Sequence, residues 1–340
     1  MKIKLIAALI AASAVSVAPA ANAEVKVSTK GGLKVSSGDY KFEFGGRIMY
    51  DFNKSELNGE TDENDFDLRR GRVYAKGNIA KDWAFKSQFN LDGSGVEDLY
   101  LRYTGFGKGA QITIGNQKMP FGLEQMTSSK DISILERSAL TELYDVGRAE
   151  GVQLHGKAGG NSTYAIGVFT DDEKDADVGF AARYTTAFKG DNSLVHLGVA
   201  YKDVAEESAL GVEGAFVTGP FHVQAEYFDG DIDGNDDLSG YYLQAGYFLT
   251  GESRPYSGGK FKRPKPEGKG GAWEIVARYE DGDGNHSDIE LGADDATAYT
   301  LGVNWYAHKN VKFGVNYTDG ESNTSDDDGS EFRVRFQLTF

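Results

Sequence analysis

The sequence predicts an all-β protein, a transmembrane antiparallel up-and-down β-barrel of about sixteen strands. Three observations predict it: a series of segments in which apolar and polar residues alternate, connections that are alternately short and long, and an aromatic residue at the very end of the chain. A content of 44 Gly and 12% aromatic residues beside only 6 Pro favours many strands joined by tight turns.

The alternation is clearest in the last ten residues, EFRVRFQLTF. One face of this segment is polar and cationic, and the other carries Phe332, Val334, Phe336, Leu338 and Phe340. Backbone polar groups inside a bilayer must be paired, so the last strand is expected to close against the first, with its aromatic face toward lipid. The alternative, a strand of a secreted β-sandwich, would leave too many aromatic faces for one core.

Sixteen segments have strand character, and their predicted ranges are 41–51, 66–77, 83–91, 97–104, 110–116, 151–158, 163–170, 178–187, 194–203, 209–218, 221–229, 239–249, 272–280, 296–306, 311–319 and 331–340. The longer connections are predicted at 53–65, 171–177, 229–237, 280–295 and 319–331, and they hold 28 of the 52 carboxylates. Short turns at one end and long polar loops at the other are typical of outer-membrane barrels, and an even strand number places both termini on the periplasmic side.

The first 23 residues predict a signal peptide. Lys2 and Lys4 precede an apolar run that ends near Val17, and Ala21-Asn22-Ala23 forms a cleavage site. The run is too short to span a bilayer. Removal of these residues changes the formal net charge from −16 to −18, because two lysines are lost. A short periplasmic segment, 24–40, and the barrel, 41–340, are expected to follow.

The connection 117–150 differs from the acidic loops because it contains many apolar residues. A barrel of about sixteen strands is too wide for side chains to fill, and it usually encloses an aqueous channel. We therefore predict that 117–150 folds back into the barrel and forms a constriction; the alternative is a helical cap on the surface. The basic segment 260–271 is expected to be a solvated periplasmic hairpin.

Basic residues cluster in the first part of the chain, and Arg70, Arg72, Tyr74 and Lys76 share the parity of one strand. They are predicted to line one strip of the lumen, where guanidinium groups suit the oxygens of phosphate-like anions. The alternative is that these cations only pair with wall carboxylates such as Glu97 and Asp98.

Several motifs resemble the phosphate-selective porin O/P family, among them FEFGGRIMYDF, LRRGRVYAKG, LTGESRPY and ITIGNQKMPFGLEQMTSSKDISILERS. The similarity covers essentially the whole mature chain. It implies a trimeric, sixteen-stranded outer-membrane channel whose third outer loop constricts the pore.

Together with the basic cluster, the resemblance predicts an anion-binding constriction at Arg47, Arg69, Arg70, Arg72, Glu97, Lys118, Gln125, Lys130 and Arg137. Arg47, Arg69 and Arg70 match the family's anion-coordinating arginines. Gln125 replaces a lysine of well-known members, and the stretch LGVAYKDVAEESALGVEGAF lacks the family's arginine-rich ladder. The expectation is a mild preference for anions, with weak binding of phosphate or polyphosphate.

Other functions find less support in the residues. The five histidines are scattered, and neither a Gly-x-Ser-x-Gly motif nor metal-ligand spacing occurs, so we expect no enzyme, no cofactor and no metal site. An acidic exported chain is not expected to bind nucleic acid. Expected partners are two further copies in a homotrimer, outer-membrane lipid and lipopolysaccharide, and small anions. A cation-preferring porin dominated by its acidic vestibule and a non-conducting adhesin remain alternatives.

Overall fold

The computed structural model describes residues 24–29, 32–93, 95–144, 147–170, 178–204, 207–232, 235–283, 295–322 and 327–340. The predicted signal peptide and the predicted loop 171–177 lie outside the described residues, as do residues 284–294 of the predicted loop 280–295. No helix in the described ranges has the length and apolar character needed to cross a membrane.

The described chain consists almost entirely of strands. They are β1 (Lys26–Ser28), β2 (Leu33–Ser37), β3 (Tyr40–Leu57), β4 (Glu60–Ala80), β5 (Trp83–Asn90), β6 (Val96–Tyr103), β7 (Gln111–Lys118), β8 (Arg148–Lys157), β9 (Thr163–Thr170), β10 (Val178–Lys189), β11 (Ser193–Val204), β12 (Glu207–Thr218), β13 (Phe221–Ile232), β14 (Asn235–Phe248), β15 (Ala272–Asp283), β16 (Asp295–His308), β17 (Val311–Ser322) and β18 (Asp328–Thr339). Two short helices, α1 (Leu123–Met126) and α2 (Ala139–Leu143), lie between β7 and β8.

Sixteen of these strands close into a barrel, which confirms the predicted fold class. Each strand from β3 to β18 pairs antiparallel with the next, and β18 pairs with β3 from Thr339↔Arg47 to Gly329↔Leu57. The short β2 pairs with the lower part of β3, and β1 pairs with β2. Because β18 pairs with β3, the backbone N–H and C=O groups of both strands are hydrogen-bonded, as a sheet within a bilayer requires.

The alternation of side chains produces an apolar outer wall and a polar lumen. In β18, Phe336 is 38% exposed on the outside, whereas Arg335 on the opposite face is only 1% exposed. In β13, Tyr227 faces outward and its neighbour Glu226 is buried inside. This is the pattern expected when water lies within the barrel and lipid surrounds it.

The strands reach further than the sequence predicted, so four of the five predicted acidic loops are wrong in extent. The segment 53–65 is mostly paired strand, with a two-residue turn at Asn58 and Gly59 whose φ angles are 52° and 76°. Asn-Gly favours such turns because both residues tolerate positive φ. Strand residues that extend beyond the lipid are polar but still pair in the sheet. Their polarity alone therefore does not distinguish them from a loop.

Two long connections enter the lumen from opposite ends. We call residues 119–147, between β7 and β8, the constriction loop, and residues 249–271, between β14 and β15, the periplasmic segment. The periplasmic segment lies at the end of the barrel where β3 begins and β18 ends, as follows from strand order. The expectation of a solvated hairpin at 260–271 was wrong, because Phe261 in this segment is fully buried inside the barrel. The segment is strongly basic, which indicates solvent exposure, but its Phe261 side chain anchors it inside the barrel.

Candidate functional site

The constriction loop is held inside the barrel by polar groups of the wall. The Glu226 carboxylate on β13 accepts the backbone N–H groups of Leu123 and of Glu124, the latter at 2.8 Å. Ser133 donates its hydroxyl to Glu274 on β15 at 2.7 Å, and the N–H of Leu135 reaches Asn316 on β17 at 3.2 Å. These bonds satisfy the loop's buried backbone and fix its path across the lumen.

Apolar contacts hold the same loop against the wall. Phe121 and Tyr144 stack on Phe228 of β13, with ring centroids 5.6 Å and 5.3 Å apart. The Tyr144 hydroxyl also donates to the Leu238 carbonyl at 2.6 Å. The apolar residues that were unusual for a solvated loop are therefore the ones that pack, and the inward-folded arrangement predicted for 117–150 is confirmed.

The first group of charges lies on the wall formed by β3 to β8. We call it the wall cluster, and it contains Arg47, Arg72, Lys86, Arg148, Glu97 and Asp98. Glu97 pairs with Arg72 and, at 2.6 Å, with Arg148. Asp98 pairs with Lys86 at 2.6 Å and with Arg148 at 3.1 Å. Four cations face these two carboxylates, and they remain in excess even when Asp131 of the constriction loop, whose charge acts on Arg47, is counted.

Arg47 joins the wall cluster to the constriction loop. It lies opposite Arg72 across the β3–β4 pair, and its guanidinium donates to the Ser129 hydroxyl of the loop at 2.6 Å. Lys86 and Arg148 were missed by the sequence reasoning. For Lys86 the signal was its position on β5 beside the apolar Phe85, whereas Arg148, the first residue of β8, shares the parity of the outward Val152 and Leu154 and could not be assigned to the lumen by alternation.

The second group of charges, which we call the arginine cage, surrounds Glu136 of the constriction loop. Arg70 donates to both Glu136 oxygens, at 2.9 Å and 2.8 Å, and Arg69 pairs with it at 3.0 Å. Arg335 also binds Glu136, and Arg333 lies 3.8 Å away. Burial would raise the pKa of the Glu136 carboxyl, but the Arg70 hydrogen bonds and the charges of Arg335, Arg70 and Arg69 hold it well below its ordinary value.

A β-bulge explains why Arg69 and Arg70 can both reach Glu136. Met49 pairs with Arg70 and Asp51 pairs with Asp67, so two residues of β4 lie opposite Tyr50 alone. The extra residue breaks the strict alternation and turns consecutive side chains toward the lumen. Bulges often redirect side chains at functional sites in this way.

The remaining predicted residues lie in or next to the constriction loop. The Lys118 ammonium binds the backbone carbonyl and the side-chain oxygen of Gln125. Arg137 binds within the loop, to Glu142 at 3.2 Å and to the Thr127 carbonyl at 3.3 Å. Burial lowers the pKa of Lys130, with Asp131 opposing the shift. The structure thus brings Arg47, Arg72 and Glu97 together and places Arg69 and Arg70 around Glu136, with Arg70 close enough for its charge to act on Arg47 and Arg72. Lys118, Gln125 and Arg137 support the loop.

The periplasmic segment adds charges that the sequence analysis did not assign to the lumen. Its backbone is docked by Arg183 of β10, which donates to the Gly259 carbonyl at 2.8 Å, and by the Thr127 hydroxyl, which accepts the Phe261 N–H at 3.3 Å. Burial, together with the charges of Lys262 and Arg183, lowers the pKa of Lys260 to about 7. The segment therefore carries a titratable cation into the barrel.

A wide, closed transmembrane barrel with a charged lumen and a loop folded into it defines a porin. The family model described as "Phosphate-selective porin O and P" matches residues 42–203 and 189–340. The chain belongs to this family, and its place is the outer membrane. Within the described ranges, no group of three or more His, Asp or Glu side chains is arranged to hold a metal ion.

The comparisons with individual proteins agree with this family. The chain is 30% identical to Porin O of Pseudomonas aeruginosa, over 94% of this chain and 93% of that protein. Among solved structures, an anion-selective porin from Comamonas acidovorans covers 88% of the chain and all of its own length, with a TM-score of 0.61 and 13% identity. The trimer form of OmpT from Vibrio cholerae covers 88% of the chain and 99% of its own, with a TM-score of 0.57 and 13% identity. At these identities the two structures support the fold alone.

Proposed function

We propose that the protein mediates passive diffusion of small hydrophilic solutes through the outer membrane, with a preference for anions and weak binding of phosphate or polyphosphate. The observation that carries the proposal is the wall cluster, in which four cations face two carboxylates beside the constriction loop. Membership of a family described as phosphate-selective supports it, and so does the similarity to Porin O.

The acidic net charge of the chain does not decide ion selectivity, because the position of each charge along the channel matters more than the total charge. Acidic residues such as Asp62 and Asp319 lie toward the outer end of their strands, where water and salt screen charges over about 8 Å. The wall cluster acts inside the barrel, where an ion is partly dehydrated and the effective dielectric constant is lower. Charges at this level therefore influence a passing ion more strongly than charges at the mouth.

The experiment is a measurement of reversal potential in planar bilayers across a potassium chloride gradient. We expect the wild-type channel to prefer chloride, and Arg72→Ala and Lys86→Ala each to reduce that preference. Lys108→Ala is the matched control, because Lys108 lies exposed in the turn between β6 and β7. A wild-type channel that strongly prefers potassium would favour the acidic-vestibule alternative, and a protein without conductance would favour the adhesin. Membership of a porin family supports a channel rather than an enzyme.

The proposed assembly is a homotrimer that uses the outer face of β5 to β9. Strands β5, β6, β7 and β9 have 8 residues each. At about 3.3 Å per residue and a tilt of about 40°, such a strand covers about 20 Å of membrane, less than the apolar band of about 25 Å. Midway along β6 and β8 the outward residues Leu99 and Val152 are aliphatic, whereas β15 and β16 carry the neighbouring rings of Tyr279 and Tyr299.

A face whose strands are too short to span the apolar band of the membrane is suited to contact with protein. Because the chain has no cysteine, single-cysteine variants test this directly. We expect a lipid-soluble maleimide to label Leu197→Cys on β11 readily and Leu154→Cys on β8 slowly in gently extracted protein. Equal labelling of both variants would exclude β8 from a subunit interface.

A further inference from the structure

The arginine cage has the geometry of an oxyanion site, but the chain fills it with its own carboxylate. Arg70 grips Glu136 with two parallel hydrogen bonds of 2.9 Å and 2.8 Å, the arrangement in which guanidinium groups bind carboxylate and phosphate. Arg69 approaches from β4, and Arg335 approaches from β18. A diffusing anion would be bound by the same donors.

The charges in and around the cage are nearly balanced while Glu136 is present. Asp51, which is fully buried, pairs with Arg335 and, at 3.0 Å, with Arg333. Arg333 also pairs with Glu331 at 2.6 Å. Four arginines therefore share three carboxylates, and only Glu136 comes from the constriction loop. Loss of its charge would leave four cations with two carboxylates.

The cage is accessible from the water-filled side. The Glu136 side chain is 22% exposed and that of Arg69 is 38% exposed, whereas Asp51 on the far side of the cage is fully enclosed. An anion in the lumen can therefore approach the guanidinium groups from the side on which Glu136 lies. Glu136 and a small oxyanion would compete for one set of donors.

We propose that Glu136 is a tethered anion that occupies the arginine cage and keeps the binding of diffusing oxyanions weak. The inference deepens the proposed function, since it presumes that anions pass this level of the lumen. It explains how a channel can carry closely spaced arginines and still release its solutes, because passage requires binding that is not too strong. Glu136 would then determine how tightly the channel binds oxyanions, in addition to attaching the constriction loop to the wall.

The test is the inhibition of chloride current by inorganic phosphate in planar bilayers. Glu136→Gln keeps the size of the side chain and an acceptor oxygen but removes the charge. We expect phosphate to inhibit this variant at a concentration lower than in the wild type by about tenfold or more, because one competing charge inside the cage has been lost. Glu142→Gln is the matched control, because Glu142 lies in the same loop, is 49% exposed and pairs with Arg137 outside the cage.

A second variant tests the same idea through chemical rescue. Glu136→Ala should leave a space for a small carboxylate, so millimolar acetate should restore the phosphate sensitivity of the wild type while leaving wild-type channels unchanged. If Glu136→Gln keeps the wild-type sensitivity to phosphate, or if it only raises conductance severalfold as a released loop would, Glu136 is an anchor and the proposal is wrong. Failure of the proposed function would appear separately, as a wild-type preference for potassium in the absence of phosphate.

Discussion

The substitution Phe261→Ala tests whether the periplasmic segment belongs to the channel. The Phe261 ring is fully buried between the constriction loop and the wall, and its apolar neighbours are Leu123, Ala187, Leu194, Ala215 and Val217. The Arg254 guanidinium lies 3.9 Å from the ring centroid. The substitution therefore removes the main apolar contact of the segment and a cation–π contact at once.

The magnitude follows from these contacts. Truncation of a buried phenylalanine costs about 3–5 kcal/mol, and a desolvated cation–π contact contributes about 0.5–2 kcal/mol. The strand pairs of the barrel do not depend on Phe261, so the loss falls on local docking rather than on global unfolding. A loss of about 3 kcal/mol raises the undocked fraction of the segment about a hundredfold.

The assay combines single-channel recording with limited proteolysis. We expect Phe261→Ala to show a larger and noisier conductance, a weaker chloride preference because Lys260 and Lys262 leave the lumen, and faster cleavage by trypsin within the segment. Phe188→Ala is the control, because Phe188 is an exposed residue of the outer wall. Unchanged conductance, noise and cleavage would mean that polar contacts such as Arg183 to Gly259 are sufficient, and would refute the role assigned to the ring.

Three further predictions concern the loop, the titratable lysine and the barrel itself. Deletion of residues 124–142 should raise conductance severalfold, since it removes the part of the constriction loop that crosses the lumen; unchanged conductance would contradict its role in narrowing the pore. The Lys260 ammonium, with a pKa of about 7, is charged below that pH and neutral above it, so chloride preference should fall as pH rises from about 6 to about 8. Lys260→Met should show the same preference at both pH values, and a pH dependence that persists in this variant would exclude Lys260 as its source. The mature protein should be rich in β-structure, heat-modifiable on gels and trimeric when extracted gently, and a mostly helical circular dichroism spectrum would be incompatible with the barrel.

The sequence by itself determined which face of each strand is apolar and how many strands cross the membrane. The alternation in β18, with Phe336 outward and Arg335 inward, has a period of two residues. The direction of each side chain can therefore be predicted from neighbouring residues alone. The apolar content of the connection 117–150 likewise indicated a loop that packs inside the barrel. These features are local, and each was predicted from a few consecutive residues.

Only the tertiary structure decided which charges meet in the lumen. Arg70 and Arg335 bind the same Glu136 because β18 closes against β3, and no local pattern shows which residues such closure brings together. The bulge that turns Arg69 inward breaks the very alternation from which strand faces are inferred. Phe261 lies in a basic segment whose charge indicates solvent, yet it is buried because the barrel wall and the constriction loop together supply its apolar neighbours. Contacts between distant segments form only when the barrel closes, so the free energy that they contribute cannot be predicted from any short stretch of sequence.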